Sequence, residues 1–289
     1  KHNRPEKISF VFQVIRTFIK VISVILPPIG VAIAYRLFFK CRSFARPAHE
    51  WKEFKSATKQ RIKLVGQEIQ LYEWGQGDKK ILFHHGWQGR GSSAAAFVQP
   101  LLDKGYKVVA FDGPAHGEST GKKSNLPEFA EVLNEIVKRY DGFEAIIAHS
   151  FGGMVTSYAL QRYKLDVKRL VFISSPFTMS FIISSFSAII NTTQYVGKRI
   201  LEKIEKQFNI TVEDISGEYL APKQDLPLLL IHDEDDNEVP ISEAIYQNKL
   251  WNGSLLIKTS ELGHRKILRD DDVIIAVIEF IRQKQEVLT

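Results

Sequence analysis

Cysteine is all but missing: Cys41 is the single one in 289 residues. That excludes an internal disulfide framework, removes any requirement for an oxidising compartment, and leaves no cysteine cluster to hold a metal. No segment recurs with a period of about 20–50 residues, which argues against solenoids and propellers. No run of about 20 residues is both apolar and uncharged, as a membrane span requires. Zinc-finger spacing and an aromatic RNA-binding signature are both lacking, so a nucleic-acid partner is not expected. Gly86-Trp87-Gln88-Gly89-Arg90-Gly91 is glycine-rich, but it has neither the lysine of a phosphate loop nor the spacing of a dinucleotide fingerprint. No cofactor is expected.

What remains is the composition of a soluble globular chain, 44% apolar and 25% charged. Its net charge of +6 is unevenly spread: residues 1–63 hold 14 Lys/Arg against 3 Asp/Glu, so the rest sums to −5. A basic leading part suggests an anionic lipid surface as neighbour. Residues 8–26 are mostly Ile, Val, Phe and Leu, with Ser9, Gln13, Arg16, Lys20 and Ser23 on one narrow helical stripe. Pro27-Pro28 and Gly30 are expected to interrupt that helix before a second apolar run over 31–39. An amphipathic arm, lying on a bilayer or on the body of the protein, fits this pattern better than two alternatives. Lys20 and the two prolines spoil a span or hairpin, and internal basic residues spoil a signal peptide ending at Ala32-Ile33-Ala34.

A polar helical connector follows over 43–60. Strands are expected at 61–65 and 68–74, joined by a turn at Gly66, and then at 80–83, 107–111, 145–149, 169–174, 228–232 and 254–259. Helices are expected at 92–103, 127–140, 154–163, from 242, and at 270–283. Strands alternating with helices of this length imply an α/β fold, a mostly parallel doubly wound sheet. The alternation breaks at Pro176, and 176–222 reads as an inserted helical cap. The expected division is thus an arm and connector over 1–60, and a sheet domain over 61–289 that carries the cap.

In such sheets reacting groups gather beyond the carboxyl ends of the strands. Four of these ends carry unusual residues: His85-Gly86-Trp87, Ser150, the acidic run from Asp233 to Glu238, and Gly263-His264. Ala148-His149-Ser150-Phe151-Gly152 lies between an apolar strand and a helix, the setting of a nucleophile elbow, with Ala148 where a glycine is usual. A serine hydroxyl needs a base to accept its proton, and the base needs an acid to hold its tautomer. Ser150, an aspartate of the acidic run and His264 supply all three. Within that run Asp236 competes with Asp235 and Asp233 for the role of acid. The N–H groups of Trp87 and Phe151 are the candidate oxyanion donors. The acidic run lacks the regular ligand spacing of a calcium loop, so no metal site is expected there.

These motifs, together with Asp112-Gly113-Pro114-Ala115-His116-Gly117-Glu118-Ser119, resemble those of the α/β-hydrolase superfamily over residues 61–285. Within it the chain is similar to bacterial serine hydrolases with a short helical cap and an amino-terminal helical extension. The resemblance implies that Asp236 is the acid, with Asp233 standing where glycine is usual, and that His84, His85, His116 and His149 stabilise turns and hold no metal. It implies a serine esterase acting on a small-molecule ester or thioester through an acyl-enzyme. Acyl transfer by the same triad is the alternative, and a non-catalytic interaction protein on this scaffold a weaker one. Haloalkane and epoxide chemistry is disfavoured, because those enzymes use aspartate where Ser150 stands. Phe181, Ile182 and Phe186 of the cap are candidates to line an acyl site. The expected location is cytoplasmic, or peripheral on the inner membrane surface through residues 8–40.

Overall fold

The computed structural model describes residues 10–283; Ile8 and Ser9 of the expected arm lie outside them. In chain order the elements are α1 (Phe10–Ile25), α2 (Pro27–Phe38), α3 (Trp51–Ser56), β1 (Thr58–Leu64), β2 (Gln67–Trp74), β3 (Lys80–His84), α4 (Ala95–Leu102) and β4 (Lys107–Phe111). Then come α5 (Leu126–Arg139), β5 (Ala145–His149), α6 (Phe151–Arg162), β6 (Leu170–Ile173), α7 (Met179–Ile190), α8 (Gln194–Phe208), α9 (Val212–Ile215) and α10 (Gly217–Leu220). The chain closes with β7 (Leu228–Asp233), α11 (Ile241–Leu250), β8 (Leu255–Thr259), α12 (Gly263–Lys266) and α13 (Asp271–Arg282). They form two compact units: one is the chain up to Lys40 with Met179–Val212, the other Cys41–Thr178 with Glu213 onward.

The larger unit is built on one eight-stranded sheet ordered β1-β2-β4-β3-β5-β6-β7-β8. From β4 to β8 every pairing is parallel. β1 and β2 instead form an antiparallel hairpin whose two-residue turn, Val65-Gly66, takes positive φ at both positions. That turn matches the right-handed strand twist, and β2 also meets β4 antiparallel. The central strands β3, β5, β6 and β7 are buried along nearly their whole length, which is why they read as continuous apolar runs and not as alternation. Ile81, Phe83, Ile147, Val171 and Ile231 pack one face against α4 and α13 through Phe97, Leu101, Val277 and Ile281. This is α/β architecture with the strand ends of β3, β5, β7 and β8 opening on one rim.

The smaller unit contains α1, α2, α7 and α8. The expected 1–60 segment is thus divided at Lys40, its helices joining α7 and α8 while its connector stays with the sheet. Pro27 and Pro28 do end α1, but Pro27 at once opens α2, where a missing N–H costs nothing. Gly30, expected as a breaker, lies inside α2 as a close-approach residue: a Cβ there would sit 2.7 Å from the Ser23 Cα. Arg16 donates from Nη2 to the Ala188 carbonyl at 3.1 Å, and the Ser23 and Thr192 hydroxyls are 2.7 Å apart. Phe38 meets Phe186 edge-on at 5.0 Å.

Candidate active site

β5 runs without a spacer into α6, and Ser150 between them has φ 53° and ψ −129°. A non-glycine residue holds such a conformation only where its surroundings over-determine it. Here Ser150 N–H donates to the Ile173 carbonyl at 2.9 Å, and Ser175 Oγ donates to the Ser150 carbonyl at 3.0 Å. The small neighbours are obligatory. A Cβ on Gly152 would lie 2.5 Å from the His84 carbonyl oxygen, and one on Gly86 would lie 2.7 Å from the Ser150 Cβ. Ala148, fully buried between His84 and Phe172, meets the same demand for a small residue.

His264 follows β8 in α12 and is buried, as is Asp236 in the loop after β7. His264 Nδ1–H donates to Asp236 Oδ2 at 2.8 Å, which leaves Nε2 as the free acceptor of the ring. Asp236 Oδ1 accepts from the amides of Glu238 and Val239 at 2.8 and 2.9 Å. Burial tends to raise this carboxyl, but the His264 hydrogen bond and charge, with the two amides, outweigh it and hold it below the usual carboxylate range. Among the three aspartates that compete in the sequence, Asp236 is therefore the one bonded to the imidazole. Asp235 Oδ2 caps the Glu261 amide instead.

His149 joins this pair to the elbow. Its Nε2–H donates to the His264 carbonyl at 2.9 Å, with ring centroids 4.8 Å apart, so His264 sits beside the strand that presents Ser150. Burial, reinforced by the nearby His264, lowers the His149 pKa to about 3, so this ring is neutral at physiological pH. The contact reaches beyond the turn-stabilising role expected of His149, because its partner lies 115 residues away and has no local signature.

The loop after β3 is held by His85. Gly113 N–H donates to its Nε2 at 2.9 Å, so Nδ1 carries the proton and donates to the Gly86 carbonyl at 2.7 Å. Asp112 anchors the same loop pair, accepting from the Gly91 amide (2.6 Å), the Glu118 amide (2.7 Å) and the Tyr72 hydroxyl (2.7 Å). Trp87 follows Gly86, and its ring meets that of Phe151 edge-on at 5.5 Å. The two residues named as oxyanion donors are thus neighbours across the elbow. His84, His85 and His116 are all shifted down by burial, His84 to about 3 and His116 to about 4. Among the described residues no group of three His, Cys, Asp or Glu is placed to hold a metal ion. Phe181, Ile182 and Phe186 lie on α7 in the helical unit, all three half-buried.

Asp233, a departure from the family pattern in sequence, has a positional role. Its Oδ1 accepts from the amides of Asp235 (3.0 Å) and Gly263 (2.9 Å), and its Oδ2 from the Thr259 hydroxyl (2.7 Å) and the Leu262 amide (3.2 Å). One carboxylate thus ties the loop carrying Asp236 to the loop carrying His264. Asp233→Asn presents an amide to donors on both sides, and a loss of roughly 2–4 kcal/mol in unfolding free energy is expected. Burial pushes this carboxyl up, but its four hydrogen bonds prevail and hold it below its usual value. A depressed pKa contributes stability above the unfolded value, about 3.9, that is lost as pH falls through the folded one. Thermal melts should therefore show the largest gap between Asp233→Asn and the parent at neutral pH, closing below about pH 4. A gap that is constant with pH would rule out this account.

Residues 79–213 match the sequence model of the alpha/beta hydrolase fold family. Similar proteins include a non-heme chloroperoxidase of Kitasatospora aureofaciens, 34% identical over 30% of this chain and 33% of that protein. Another is a bifunctional esterase/perhydrolase of Acinetobacter calcoaceticus, 32% identical over 38% of this chain and 42% of that protein. The matched segments therefore span less than half the length of these relatives. Among solved structures, an esterase from Exiguobacterium antarcticum superposes with a TM-score of 0.63 at 18% identity, covering 78% of this chain and all of that one (100%). A bacterial membrane phospholipase A superposes with a TM-score of 0.60 at 16% identity, covering 91% of this chain and 95% of the other.

Proposed function

We propose, for a chain that belongs to the α/β-hydrolase superfamily, a serine hydrolase that cleaves small-molecule carboxylic esters through an acyl-enzyme. The observation that carries this reading is the 2.8 Å Asp236–His264 hydrogen bond beside a serine held at φ 53° on a strand-to-helix turn. Ser150 Oγ attacks the ester carbonyl while His264 Nε2 takes its proton. Asp236 holds the imidazole in the Nδ1–H tautomer and stabilises the imidazolium that forms. The N–H groups of Trp87 and Phe151 receive the oxyanion, aided by the positive end of α6. His264 then protonates the departing alcohol. In the second half-reaction it deprotonates a water that attacks the acyl-enzyme, releasing the acid and restoring Ser150. The esterases and phospholipase among the similar proteins support ester substrates.

The test is covalent. A fluorophosphonate probe should add once to the native chain, with the adduct mapping to Ser150, and p-nitrophenyl esters of graded acyl length should be turned over. Labelling elsewhere, or no turnover of any ester, would remove this assignment. A second reading, acyl transfer to an acceptor other than water, draws on the similarity to an esterase/perhydrolase. Product analysis with alcohols and hydrogen peroxide as competing acceptors separates the two.

A further inference from the structure

α1 leaves most of its apolar surface open to solvent. Two members of its polar row face inward, Arg16 bonding the Ala188 carbonyl of α7 and Ser23 bonding Thr192, with Ile19 between them 3% exposed, while Gln13 and Lys20 of that row stay exposed. The opposite row, Phe10, Val14, Phe18, Val21 and Ile25, repeats at helical spacing and is open to solvent; Phe18 is 56% exposed and Ile25 67%. Ile29 at the start of α2 extends the row. Soluble proteins rarely leave a contiguous apolar strip of this kind uncovered.

The charge of this unit indicates what covers it. Residues 1–40 and 179–212 contain eleven Lys/Arg against three Asp/Glu, a net +8, while the rest of the chain is nearly neutral at −2. Lys20, Arg36 and Lys40 are exposed. A second copy of the chain would bring another strongly cationic unit against the first, whereas an anionic bilayer offers apolar depth and opposite charge together. α1 has 16 residues, which at about 1.5 Å each reach about 24 Å, short of a hydrocarbon core of about 30 Å. Among the described residues no helix is long and apolar enough to cross a membrane. Its inward bonds to α7 and Thr192 also hold α1 within the unit. We infer that the outer face of α1 lies flat on an anionic lipid surface, Phe18 and Ile25 entering the acyl boundary and the cations meeting the headgroups. This inference does not depend on the chemistry assigned to Ser150.

Co-sedimentation of the full chain with vesicles tests it. The chain should pellet with phosphatidylcholine vesicles that contain phosphatidylglycerol, much less with phosphatidylcholine alone, and less again at high salt. The double variant Phe18→Glu/Ile25→Glu, at exposed positions, should melt as the parent does and keep its turnover of a water-soluble ester. Its binding to anionic vesicles should weaken by at least about tenfold. Failure of the parent to pellet with anionic vesicles, or undiminished binding by the double variant, overturns the inference. So does a parent dimer that the double variant dissolves while neither protein binds vesicles, since the face would then belong to a second copy. The Ser150→Ala chain should bind vesicles as the parent does, so failure of the ester reading and failure of this one are told apart.

Discussion

Ser150→Ala should lose about 10⁴–10⁶-fold in ester turnover and all fluorophosphonate labelling, because no other group at the elbow can form the acyl-enzyme. What makes this variant informative is the behaviour of the fold. Ser150 occupies φ 53°, ψ −129° between Gly86 on one side and the buried elbow on the other. Such a backbone costs on the order of 1–3 kcal/mol for a residue with a Cβ. Alanine keeps the Cβ and should leave stability nearly unchanged. Ser150→Gly relieves the conformation and should raise the unfolding free energy, read from urea melts, by about 1 kcal/mol, after allowing for the extra freedom of glycine in the unfolded chain. A dead but more stable Ser150→Gly would mark strain retained for function. A Ser150→Gly chain less stable than the parent would show that the elbow is not strained, and Ser150→Ala with parental turnover would remove the serine from the mechanism.

Asp236→Asn should cost about 10⁴-fold in kcat with little change in KM or in the folded structure. The direction follows from the hydrogen bonds. Oδ1 is pinned by two donors, the Glu238 and Val239 amides, so the asparagine oxygen stays on that side. The new NH₂ group then faces His264 Nδ1, where Oδ2 accepted before. Nδ1 must become an acceptor, the ring proton moves to Nε2, and the imidazole can no longer take a proton from Ser150. Asp235→Asn is the control: its carboxylate caps Glu261 and touches neither histidine nor serine, so kcat should stay within about threefold of the parent. Equal losses at both positions would mean that Asp236 has no role that Asp235 lacks.

The elbow and the sheet were legible in sequence because both rest on short-range rules. The apolar strand Ala145–His149, a serine among small residues and a following helix declare a strand-turn-helix through local sterics alone. The buried central strands declare themselves by uninterrupted apolar runs, and the Val65-Gly66 turn by the backbone freedom of glycine. The hairpin's antiparallel pairing with β4 was harder to read, since strand pattern does not encode direction. Gly30 was misread because helix-breaking propensity is a weak local prior, and close packing against Ser23 outweighs it.

Sequence by itself determined the fold class and the order of the motif-bearing strand ends, and it singled out Ser150 and His264 as candidates, because these depend on neighbours a few residues apart. Tertiary structure decided three matters that local residue patterns left open. Asp236 and not Asp235 or Asp233 reaches His264, since side-chain direction in an acidic loop is set by which amides each carboxylate caps. His149 joins the elbow to a carbonyl 115 residues away, a contact with no local trace. And α1 turns Arg16 and Ser23 inward while leaving an apolar row open to solvent. Periodicity shows that a helix has two faces, but which one is covered depends on the partners that Arg16 and Ser23 find on α7 and at Thr192.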